Sequence, residues 1–127
     1  MDAVTFWSSL APLGIVRLIV RNAAGLIEVD RALDDPRLSD RFVNFPGRPI
    51  DLHFYRAMTY QLEFRDGPND HTGRVEHGII ARDTAGNELF QIFLVRPAGS
   101  DEHDPACVEA YRALRVRAEA GDLTQRP

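Results

Sequence analysis

"HGIIARDTAGNELFQIFLVR", residues 77–96, decides the fold. Two apolar runs, 77–83 and 88–96, flank the tetrapeptide Thr-Ala-Gly-Asn, and a glycine-containing turn between such runs is a hairpin signal. The second run is apolar on both sides. Strand alternation puts Phe90, Ile92 and Leu94 on one face and Leu89, Phe93 and Val95 on the other. Such a strand must be covered twice. Terminal helices can supply one cover. The second is a sheet folded over itself, a partner subunit or an apolar ligand.

Outward from the hairpin, the chain supplies those helices and more strands. Upstream, "IVRLIVRN" and "LIEVD" are strand-like runs joined by "NAAG", a second hairpin. "RALDDPRLSD" reads as loop, "RFVNF" as a short strand closed by "PGRP", and "RDGPNDHTGRVE" as loop from its Gly, Pro and Asn content. Between them, "RPIDLHFYRAMTYQLEF", residues 48–64, alternates throughout. Ile50, Leu52 and Phe54 share one face, with Asp51, His53 and Tyr55 opposite. Met58, Tyr60, Leu62 and Phe64 continue the apolar side. Val4, Trp7 and Leu10 have helical spacing and predict an opening helix that stops at Gly14. Asp104 as N-cap and Pro105 in the first turn predict a closing helix, buried along Val108, Tyr111, Leu114 and Ala118. The expected architecture is α+β: a largely antiparallel, curved sheet of about seven strands with N- and C-terminal helices.

At 127 residues the chain is read as a single domain, 1–127, with 120–127 a frayed tail. The sole cysteine, Cys107, excludes an intrachain disulfide and lends nothing to a zinc or iron–sulfur site. Net charge is −4, the opposite of a nucleic-acid footprint, so no nucleic-acid partner is expected. "LAPLGIVRLIV" is too short, and too interrupted by Arg17, to span a bilayer, and no membrane partner is expected. "MDAVTFWSSL" lacks a basic leader, so the expected location is the cytoplasm. All fifteen basic residues are arginine, so a carboxylate or phosphate must be held by guanidinium forks.

Hydrolytic and nucleotide motifs are absent: there is no Walker loop, dinucleotide glycine fingerprint, His-Glu-x-x-His or Gly-x-Ser-x-Gly elbow. No catalytic residue is assigned. The four histidines, His53, His71, His77 and His103, have no short metal-ligand spacing. His71 and His103 read as solvated loop residues and His77 as a surface strand residue. On its residues alone His53 is either an iron ligand or a hydrogen-bonded strand histidine.

"WSSLAPLGIVRLIVRN", "FVNF", "IDLHFYRAMTYQLEF" and "DTAGNELFQIFLVR" followed by "EAYRALR" resemble, in order and spacing, the haem-utilisation family of the HemS, ChuX and HutX type. The resemblance runs from about Trp7 to Arg115. It covers one family repeat, as in the shorter members, and so implies a homodimer that rebuilds the two-repeat architecture and covers Leu89, Phe93 and Val95. It implies haem as the bound ligand, handled as cargo by a carrier or buffer that exchanges it with a donor or acceptor protein. The alternatives are a haem-degrading enzyme of the same family and a non-haem module on the same scaffold. A haem site needs an axial donor and cationic forks for two propionates. His53 is the candidate iron ligand, Arg48 and Arg56 the candidate propionate forks, and Tyr55 and Tyr60 accompany them. Gln91 stands where many relatives carry a lysine.

Overall fold

The computed structural model describes residues 1–121. The frayed tail expected over 120–127 lies, beyond position 121, outside the described residues. Helix α1 (Ala3–Trp7) leads through a 3-10 turn (Ala11–Leu13) into strands β1 (Ile15–Asn22), β2 (Gly25–Ala32), β3 (Arg37–Leu38), β4 (Phe42–Phe45) and β5 (Leu52–Tyr55). Strands β6 (Gln61–Pro68), β7 (Val75–Arg82) and β8 (Glu88–Leu94) follow, then helix α2 (Pro105–Glu119). Eight strands, rather than about seven, form a curved five-stranded antiparallel sheet ordered β2-β1-β8-β7-β6 and a three-stranded sheet ordered β3-β4-β5.

The hairpin over 77–96 forms as β7–β8, with Gly78 opposite Phe93 and Ile80 opposite Gln91. Its turn is held by Asp83, whose carboxylate accepts from the backbone N–H groups of Ala85 and Asn87 and from the Asn87 amide. Those hydrogen bonds, the Asn87 side chain first, hold the Asp83 carboxyl below its ordinary range. Gly86 takes the positive φ, 88°, that the turn needs. Strand β8 lies between β1 and β7, the central position its doubly apolar sequence demands.

Phe90, Ile92 and Leu94 face inward with Val16, Leu18, Ile79 and Ala81, beneath α1, the 3-10 turn and α2. At the centre sits Trp7, fully buried, stacked on Phe54 at 3.8 Å and donating its indole N–H to the Tyr60 hydroxyl at 3.0 Å. The α2 stripe is as expected: Tyr111 and Leu114 are buried, Val108 and Ala118 half-buried against the core. Asp104 caps α2 by accepting from the Ala106 N–H at 2.9 Å.

Three expectations are corrected. The opening helix ends at Trp7 instead of running toward Gly14. Ser9 turns its hydroxyl back onto the Thr5 and Phe6 carbonyls, and Pro12 removes a backbone donor, so the chain tightens into a 3-10 turn. The stretch 65–76 is strand at both ends, 65–68 and 75–76, with a loop only over 69–74. Strand β6 continues through Gly67 and Pro68, paired with Glu76 and Val75, because it is a sheet edge where proline costs no ladder bond. The loop read over 31–40 likewise contains the end of β2 and all of β3. Lastly, residues 48–64 do not form one continuous alternating strand. The segment leaves the small sheet after Tyr55 and enters the large one at Gln61. The N-terminus occupies the gap: Ala3 N donates to Met58 O, Met1 and Tyr60 exchange backbone hydrogen bonds, and Asp2 bridges Thr59.

Candidate functional site

Strand β5 lies against β4, with His53 opposite Asn44 and Tyr55 opposite Phe42. Strand parity sends Leu52 and Phe54 toward the core and leaves His53 and Tyr55 exposed on the outer face of the small sheet. There the Tyr55 ring stacks on Phe42 at 5.3 Å, and His53 meets the edge of Phe42 at 6.1 Å. Arg56 follows directly and donates from Nη1 to the Ser39 carbonyl at 2.7 Å. An imidazole, an aromatic pair and a guanidinium therefore share one open surface.

The hydrogen bonds around Asn44 fix the chemistry of His53. The Asn44 amide nitrogen donates to the Arg37 carbonyl at 2.8 Å and to Ser39 Oγ at 3.1 Å. A carbonyl can only accept, so the amide group has one orientation and its Oδ1 must face His53. That oxygen lies 2.6 Å from His53 Nδ1, so Nδ1 must carry the proton and donate it. In the neutral ring Nε2 then holds the lone pair. An imidazole with one nitrogen fixed by a hydrogen bond and the other free is the form that ligates metals.

The other candidate residues fall in different places. Arg48 is exposed in the turn between β4 and β5, ahead of Pro49, to which it is joined by a cis peptide bond. That turn is pinned from beneath by Arg31, a buried guanidinium that donates to the Phe45 and Ile50 carbonyls at 3.1 and 2.5 Å. Tyr60 is not on the His53 face. It is 3% exposed in the core, on the apolar side, and its hydroxyl accepts from the Trp7 indole N–H. Burial raises the Tyr60 pKa, which keeps it a neutral phenol. Asn44, which sets the His53 tautomer, was not among the candidates. The alternation of "FVNF" carried its signal, because it places Phe42 and Asn44 on one face.

Two histidines also depart from expectation. His77 is buried, not a surface residue, and its Nδ1 lies 2.7 Å from an Asp66 carboxylate oxygen. His103 has both ring nitrogens shielded from water, although it sits in a polar connection.

The two-sheet arrangement, with terminal helices over a curved antiparallel sheet, is the single-repeat architecture of ChuX-like proteins. The crystal structure of ChuX matches at a TM-score of 0.75 and 18% identity, over 92% of this chain and 72% of that one. A protein from Erwinia carotovora matches at 0.74 and 23%, over 90% and 70%. Holo-PhuS, a heme-binding protein from Pseudomonas aeruginosa, matches at 0.64 and 19%, over 89% of this chain and 32% of its own length. At these identities the likeness is one of fold. The sequence matches no family model and no curated protein. Among the described residues no helix is long and apolar enough to cross a membrane.

Proposed function

We propose that this protein binds haem and carries it as exchangeable cargo in the cytoplasm, with His53 Nε2 as the axial iron ligand. The observation that carries the reading is the hydrogen-bonded tautomer of His53: Asn44 Oδ1 accepts from Nδ1–H, which leaves the lone pair at Nε2 on an exposed face. The fold shared with ChuX and PhuS, solved structures of which are described as heme-binding, supports the same reading. The Tyr55–Phe42 pair offers the macrocycle an aromatic flank, and Arg56 and Arg48 supply forks for the propionates. An open face with a single protein ligand suits release to an acceptor protein better than chemistry that must exclude water.

In the same reading the protein works as a homodimer. The outer face of the large sheet holds a cleft of about 640 Å³ lined by Ile19, Leu26, Phe93 and Val95 among charged neighbours. A second copy stacked there gives β8 the second cover that its sequence calls for.

Haemin titration followed by the Soret band tests the ligand. Wild type should give a saturable, shifted band, and His53→Ala should shift or abolish it with the fold intact by circular dichroism. Removing Arg48 or Arg56 should weaken binding roughly tenfold, the loss of one partly screened charge-assisted contact. An unaltered spectrum in His53→Ala would remove the axial role.

A further inference from the structure

A second cleft, of about 690 Å³, opens between the start of β7, the 96–104 connection and the first turns of α2, on elements that contribute nothing to the His53 face. Two histidines line it. The Nδ1 of His77 lies 2.7 Å from an Asp66 carboxylate oxygen, but it is buried and has no hydrogen-bond partner among the described residues. Its ring is fixed on another side by Tyr111, at 5.4 Å between centres. His103 approaches to 5.1 Å, with the ring planes 67° apart. Neither nitrogen of His103 makes a hydrogen bond among the described residues, and both are shielded from water. The nearby Val75 carbonyl accepts from Arg96 and makes no hydrogen bond to either His103 nitrogen. A shielded imidazole with no partner costs free energy unless something absent from the protein satisfies it.

We propose that His77 and His103, whose buried ring nitrogens lack hydrogen-bond partners, together bind a divalent transition-metal ion of the zinc, nickel or copper class. Imidazole is a suitable donor for these ions. The spacing fits. An ion ~2.0–2.1 Å from each nitrogen lies ~3.2 Å from each ring centre, which at a tetrahedral angle puts the centres ~5.2 Å apart. Arg74, Arg96 and Arg112 also line the cleft, and Asp101, Glu102 and Glu109 line it in equal number and offset their charge. Among the described residues no group of three or more metal-ligating side chains converges, so the two imidazoles are the protein ligands of the proposed site.

The test is a titration of haem-free protein with zinc chloride, read by calorimetry and by histidine ring resonances. One zinc per chain is expected, with the His77 and His103 rings shifting and the His71 ring unmoved. His103→Gln should abolish this binding, and because His103 is in a connection it carries the test should the buried His77→Gln not fold. His53→Ala should bind zinc like wild type, so this result stands or falls independently of the haem site. Absence of zinc binding, or binding that survives His103→Gln, overturns the proposal.

Discussion

The two faces of the large sheet look alike in sequence and are built differently. On the inner face Ile92 has Leu18 and Ile79 as its cross-strand neighbours. One residue along, on the outer face, Phe93 has Arg17 and Gly78. Inside, apolar side chains meet apolar side chains, and Phe90 packs against Trp7 at 4.8 Å. Outside, apolar groups sit singly among paired charges: Arg17 with Asp30, Arg21 with Glu88, and Glu63 with both Arg65 and Arg82. Phe93 lies over Gly78, where a methyl group would come within 2.3 Å of the ring. The difference shows that apolar content along a strand does not define a core. The residues across the ladder do.

The largest effect should come from the inner face. Trp7→Ala removes the ring stacked on Phe54 and leaves the Tyr60 hydroxyl without its donor, at a cost of about 3–5 kcal/mol in urea unfolding. A loss below about 1 kcal/mol would mean that the inner face is no better packed than the outer.

Next comes the one close approach on the outer face. Gly78→Ala should cost about 1–3 kcal/mol because the Phe93 ring must leave its place. In a Phe93→Ala background that cost should largely disappear, and a double-mutant cycle measures the coupling. Additive losses would show that the ring and the glycine are independent.

The smallest effect is expected of the outer ion pairs. Arg17 and Asp30 make a bidentate pair at 2.8 and 3.0 Å, but the two side chains are 47% and 41% exposed. Their coupling should be about 0.2–1 kcal/mol and should shrink with added salt. A coupling above that range at high salt would indicate that this face is covered in solution, as the dimer reading requires.

Much of this was legible in the chain because alternation and capping are local. The β7–β8 hairpin, the inward set Phe90, Ile92 and Leu94, and the Asp104–Pro105 start of α2 all follow from neighbours a few residues apart. The break inside 48–64 was not legible. It arises because Met1 to Ala3 pair with Met58 to Tyr60, and nothing in an unbroken alternation announces a partner more than fifty residues away. The candidate site divides in the same way. Parity puts His53 beside Tyr55, whereas the Asn44 contact that fixes the ring needs the β4–β5 register. The approach of His103 to His77 needs β7 in place, so its loop-like sequence read as solvated.

Tyr111 has a consequence of another kind. Its hydroxyl hydrogen-bonds to the Gly78 and Arg65 carbonyls, at 2.9 and 3.1 Å, and those two residues are directly opposite each other on β7 and β6. The single phenol proton is shared between the two carbonyls, and a slip of one residue between the strands would separate them and end that sharing. The last helix thus proofreads the alignment of strands that precede it by more than thirty residues, and the completed chain rewards only the correct one.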